Sequence, residues 1–101
     1  MLLKINLLKH QSRLDIEYRN KQKYIFCFIR KKYLILTPEE IVRQLILHYL
    51  VEEKGYPKNR IRAEKEVEVN TMSRRYDILV LNIALEPILL VECKSAKVKV
   101  V

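Results

Sequence analysis

A chain of 101 residues with half of its residues hydrophobic has the material for one folded domain with a core, and is no disordered tail. Lysine and arginine number 20 against 12 acids, a net charge of +8 that favours a polyanionic partner. No apolar run reaches the length of a membrane span, and a single glycine cannot supply a P-loop, so an ATP-driven motor is excluded.

At the N-terminus, Leu2–His10 is apolar and basic without a clean period and is expected as a weak first strand. Lys4, Asn6 and Lys9 interrupt any signal-peptide core, and with no small-residue cleavage site following, the expected compartment is the cytoplasm. Leu14, Ile16 and Tyr18 alternate with Asp15 and Glu17, the pattern of a half-buried strand. The polar run Arg19–Gln22 predicts a turn, Tyr24–Ile29 a second strand, and Tyr33–Leu36 a short third. These pieces predict an N-terminal hairpin or meander over residues 1–36. Arg30, Lys31 and Lys32 cluster between strands, where they suit either phosphate binding or a solvated charge run.

Thr37 is an N-cap residue, Pro38 fits the first helical position, and Glu40 stands where a capping box needs an acid. Ile41, Val42, Leu45, Ile46, Tyr49 and Leu50 follow at helical spacing, while Glu40, Arg43, Gln44 and Leu47 lie off the centre of that stripe. Gly55 and Pro57 close the helix. His10 and His48 have no neighbouring ligand set. Beyond the helix, Ile61–Val69 alternates as a strand, and Asn70–Arg75 is expected as a polar connection that presents Arg74 and Arg75 to a DNA backbone.

Two apolar runs follow, Ile78–Leu81 and Ile88–Val91, with Pro87 where a strand begins. Both faces of the second run are apolar, which predicts central strands covered on both sides. Asp77 stands at the mouth of the first run; Glu92 and Lys94 close the second, pointing one way, with Cys93 opposite as a small buried hydrophobe. Charged groups at the ends of buried strands are costly unless paired or used. Two carboxylates offer hard oxygen ligands for magnesium or manganese, and a nearby lysine can orient water and offset charge on phosphorus. A structural ion pair closing a hairpin explains the same residues. Glu64 is a lesser candidate, and Lys97 and Lys99 read as the start of a further element or a frayed end.

Asp77, fourteen residues, then Glu92-Cys93-Lys94 resembles the signature of the PD-(D/E)xK nuclease superfamily, with Tyr76 in place of the usual proline. More narrowly, R-K-K-Y-L-I-L-T-P-E-E-I-V-R-Q at Arg30–Gln44, together with Glu53–Pro57 and V-E-C-K, resembles small proteins related to the N-terminal domain of type I restriction enzyme R subunits. The resemblance implies a mixed fold of the α+β kind, with a restriction-endonuclease-like α-β-β-β core over residues 37–101. The Gln-x-x-x-Tyr motif and the second half of such a core lie outside these residues, so a shortened core is expected. It further implies a magnesium- or manganese-dependent DNA endonuclease in which Asp77, Glu92 and Lys94 are catalytic. Asp77 and Glu92 would bind the metal, with Glu40 on the first helix as a further ligand, although a glutamate at that position also serves as a helix cap. The implied partners are double-stranded DNA held by Arg30, Lys31, Lys32, Arg74 and Arg75, a second copy of the chain, and other restriction-modification subunits. A catalytically inert nucleic-acid-binding or partner module with the same fold is the alternative.

Overall fold

The structure is a computed structural model that describes residues 7–69, 72–93 and 97–100, with 64–69, 72–76 and 97–100 described through their backbone. Two antiparallel sheets flank one helix. The first sheet is a meander of β1 (Ile16–Arg19), β2 (Gln22–Cys27) and β3 (Lys32–Ile35). Asn20 and Lys21 both have positive φ, 48° and 64°, the two-residue turn whose twist matches a tight hairpin. β1 and β3 are the edge strands, and α1 (Pro38–Glu52) packs against the central β2. That explains a departure from the sequence pattern. Ile16 pairs with the fully buried Ile25 yet is 48% exposed, and Tyr18 is 64% exposed, because the edge strand overhangs the part of the sheet that the helix covers.

The expected first strand is also corrected. Leu7–Arg13 is a 3-10 helix, and Leu2–Asn6 lie outside the described residues. It is fastened to the end of α1 by charge instead of a strand ladder. The ring nitrogens of buried His10 face Glu52 at 3.1 Å and Glu53 at 2.7 Å, and Arg13 reaches Glu52 at 3.1 Å.

α1 starts and stops as its residues dictate. Thr37 is extended, and its Oγ1 accepts the Glu40 N–H at 3.1 Å, with Pro38 opening the helix. Gly55 takes φ +73° just past the end, and the Tyr56 N–H returns to the Leu50 carbonyl at 3.1 Å. No helix among the described residues is long and apolar enough to cross a membrane.

The second sheet runs β4 (Ile61–Val69), β5 (Met72–Leu81), β6 (Pro87–Glu92) and β7 (Lys97–Val100), all antiparallel and in chain order. Here too one expectation is corrected: Arg74 and Arg75 belong to the β5 ladder, opposite Val67 and Glu66, and not to a loop. Pairing of Val69 with Met72 carries the hairpin nearly to its tip, so little chain is left for a connection. Lys97–Val100 form β7, one edge of this sheet, with β4 the other.

β5 and β6 are the central strands, as their apolar runs required. On one face Ile78, Val80 and Val91 pack with Ile46, Leu47 and Leu50 of α1 and with Cys27 and Ile61. On the other, Leu79, Leu81 and Leu90 form a separate buried cluster. A bulge between Val80 and Leu81 ends the regular β5–β6 pairing, and Asn82 closes the loop by accepting the Glu86 N–H at 2.9 Å on Oδ1.

Candidate active site

The helix stripe that meets the sheet is Arg43, Ile46, Leu47 and Leu50, one turn apart in steps of three and four. Its N-terminal end is polar. Glu40, Arg43 and Gln44 are 7%, 4% and 0% exposed, among the deepest side chains of the molecule. Such burial is affordable only with partners. Glu40 has two: Arg43 Nη1 donates to Oε1 at 2.5 Å and Gln44 Nε2 to Oε2 at 2.9 Å. The Glu40 carboxylate thus turns inward and does not reach back to Thr37, so only one arm of the capping box forms.

Arg43 also joins the helix to the sheet. Its Nη2 donates to Asp77 Oδ1 at 3.1 Å, and the Cys93 N–H donates to Asp77 Oδ2 at 2.7 Å. A bond to the backbone N–H just past the end of β6 lies near the plane of the sheet. The Asp77 carboxylate therefore rests beside the strands, held from the helix side by a cation and from β6 by an amide.

The β5–β6 register pairs Ile78 with Val91, so the next step sets Asp77 opposite Glu92 on adjoining central strands. Glu92 is exposed and makes no hydrogen bond or ion pair among the described residues. Lys94 lies outside the described residues, and the side chains of Glu64, Arg74 and Arg75 do too. Cys93 faces the core; burial, and then the charge of Asp77, push its thiol up to about 12. A thiol raised in this way stays protonated at neutral pH and is a poor nucleophile. Among the described residues no three His, Cys, Asp or Glu side chains converge as a metal cage.

Of the residues expected at the site, Glu40 and Asp77 are thus joined through Arg43, and Glu92 stands beside Asp77 in register. Arg43 and Gln44 are the members that motif reasoning missed. Their signal was the E-x-x-R-Q spacing on one helix face with Leu47 and Leu50, a polar group in line with core leucines.

Two clefts open near this network. One, of about 510 Å³, lies between the meander and the start of α1 and is lined by Tyr24, Tyr33, Glu40 and Arg43. The other, of about 730 Å³, lies between the β2–β3 turn and the start of β4. Arg30 lines both.

Residues 38–101 match the family model described as type I restriction enzyme R protein N terminus, over more than half of the chain and across α1 and the whole second sheet. The chain belongs to that family. No curated protein and no solved structure gave a match. The matched segment contains Glu40, Arg43, Asp77 and Glu92 but not Arg30, Lys31 or Lys32. A role in a restriction system, with DNA and other subunits as partners, is consistent with this membership.

Proposed function

We propose that this chain is a DNA-cleaving domain of a restriction system, hydrolysing phosphodiester bonds with magnesium or manganese on a restriction-endonuclease-like core. The observation that carries the reading is the placement of Asp77 opposite Glu92 at the ends of two buried central strands, with the Asp77 carboxylate fixed by Arg43 and the Cys93 amide, in a member of this family. Carboxylate oxygens fit a hard divalent ion in kind, and Asp77 and Glu92 are the residues that would hold it. When bound, such an ion polarises the phosphoryl oxygen and lowers the pKa of a water ligand.

The chain's own residues do the rest. Arg43 orients Asp77 and neutralises Glu40, so Glu40 becomes available to a metal only as the guanidinium withdraws. Lys94, two residues past Glu92, supplies a positive charge beside the attacked phosphate and a donor to the attacking water. Double-stranded DNA is the substrate, and a second copy of the chain or other subunits would complete the assembly.

One observation favours a second reading, an inert DNA-binding or partner module. Arg43 already satisfies both Glu40 and Asp77, which is the signature of a structural ion pair. Nicking of supercoiled plasmid separates the two. Wild type is expected to nick with magnesium or manganese and to stop with chelator, while Asp77→Asn, Glu92→Gln and Lys94→Ala at matched melting temperature lose at least about a hundredfold of the rate. Absence of nicking by wild type with either metal selects the inert module.

A further inference from the structure

β1 pairs with β2 on one side, and among the described residues no strand lies on its other side. The phase of its backbone follows from the turn. Arg19 and Gln22 flank the two-residue turn Asn20-Lys21 and are a hydrogen-bonded pair, and such pairs recur at every second residue of an antiparallel ladder. The Phe26 N–H on the Asp15 carbonyl at 2.8 Å fixes the same phase. Asp15, Glu17 and Arg19 therefore direct their backbone polar groups at β2, while Ile16 and Tyr18 direct theirs outward from the sheet edge. The Ile16 and Tyr18 side chains share the face that carries Ile25, and both are exposed.

Edges that stay single are commonly guarded by lysine, by proline or by charge. β1, Ile-Glu-Tyr-Arg, has neither lysine nor proline, and its two charges are of opposite sign. Those charges decide how a second copy fits. In a two-fold antiparallel pair the residues of one face meet residues of the same face, so the axis passes through a residue and not between two. Centred on Ile16, Asp15 meets Glu17 of the other copy, and like charges oppose. Centred on Glu17, that carboxylate meets itself, and the Asp15 that would meet Arg19 already accepts the Tyr33 hydroxyl at 3.2 Å. Centred on Tyr18, Glu17 of each copy meets Arg19 of the other. Arg19 bonds its own Glu17 through Nε at 3.1 Å and lies over the Tyr24 and Tyr33 rings at 5.5 and 5.2 Å, which hold it on the Glu17 face. A guanidinium has five donors and a carboxylate two oxygens, so the four charges close into an alternating network.

We propose that β1 pairs antiparallel with β1 of a second copy about a two-fold axis at Tyr18, joining two three-stranded meanders into one sheet. The Tyr18 N–H of each copy donates to the Tyr18 carbonyl of the other. The exposed Tyr18 and Ile16 side chains of both copies meet on the Ile25 face, with Ile16 diagonal to Tyr18. Such a contact is small, so the pair is weak and depends on concentration. The proposal names the face for the second copy invoked above, and rests on that part of the reading but not on cleavage. Asp77, on β5, takes no part in the contact.

The test is sedimentation velocity of the full chain from low micromolar to near-millimolar concentration, where wild type is expected to pass from monomer to dimer. Glu17→Arg and Arg19→Glu each set like charges across the contact and should weaken the dimer about tenfold or more. The two changes together restore opposite signs and should return it to within about threefold of wild type. Melting temperature checks that each variant folds. The register is read by oxidative crosslinking. Tyr18→Cys brings two thiols to the axis, where a Cα separation of about 5.5 Å lies inside the disulfide range, and should give a covalent dimer. The native Cys27 and Cys93 are buried and do not compete. A chain that stays monomeric throughout, single charge variants that dimerise as wild type does, or a crosslink through Glu17→Cys in place of Tyr18→Cys overturns the proposal. A monomer that nicks plasmid overturns this pairing and leaves the nuclease reading standing. A dimer with the expected charge dependence and no nicking upholds the pairing and overturns the nuclease reading.

Discussion

Arg43 is the residue on which the two sides of the site depend. A guanidinium buried between two carboxylates on different elements is stable because each charge has a partner of opposite sign and a directed hydrogen bond. Methionine in its place fills similar volume but leaves Glu40 and Asp77 as neighbouring anions. Loss of one partner from a buried ion pair costs about 3–5 kcal/mol, and the partial exposure of Asp77 argues for the lower end. Arg43→Met should therefore melt well below wild type in chelator, by roughly 3 kcal/mol in a denaturant titration. If the two carboxylates form a cation site, magnesium should recover more stability in the variant than it adds to wild type, since it binds only the folded form. Equal shifts with magnesium in both proteins would mark Glu40 as structural.

At the scale of elements, sequence pattern was legible wherever local chemistry fixed the backbone. Thr37, Pro38 and Gly55 bounded the helix, and the two apolar runs before Asn82 and after Pro87 became the central strands. What failed depended on long-range partners. The 3-10 helix at Leu7–Arg13 is held by Glu52 and Glu53, some forty residues on, and nothing nearby announces it. Arg74 and Arg75 read as a polar turn because charge masked a ladder set by pairing with β4. The burial of Arg43 was hidden because Asp77, its partner on β5, is 34 residues away, whereas the contact of Gln44 with Glu40 spans one helical turn and was open to reading from the spacing. His48 shows how an element's packing becomes a pH response. It sits half-buried on α1 against Phe28, and burial, which outweighs the charge of Glu52, holds its pKa below the ordinary value of 6.5. A histidine whose folded pKa is lowered gives its full stability above the unfolded value and loses it as pH falls through the folded one. Melting temperature should thus drop between about pH 7.5 and 5.5, and drop less in His48→Gln. An equal drop in both would place the acid sensitivity elsewhere, with Glu53, whose carboxyl is held low by His10 and Lys9, expected to contribute only in more acidic solution.

Across the whole molecule, the family match begins at residue 38, yet the physical unit begins earlier. Cys27 of β2 is fully buried in the same cluster as Leu47, Ile78 and Val91, and Leu7, Phe28, Ile29 and Leu34 pack against that cluster from the N-terminal side. The meander is therefore one wall of the core that positions Arg43 against Asp77. Removing it exposes the Cys27-facing side of α1 and opens the cleft that contains Glu40. Apolar surface returned to water costs about 25 cal/mol per Å², and uncovering several side chains of this size amounts to most of the stability of a small domain. A chain starting at Thr37 should accordingly show no cooperative thermal transition by circular dichroism, while the full chain melts in one step. The same shortened chain should lose the cleft beside the β2–β3 turn, since Arg30 and Lys31 go with the meander. A cooperative transition in the shortened chain, at a temperature near that of the full chain, would mean that α1 and the second sheet form a self-sufficient core and that the meander is an accessory to binding alone.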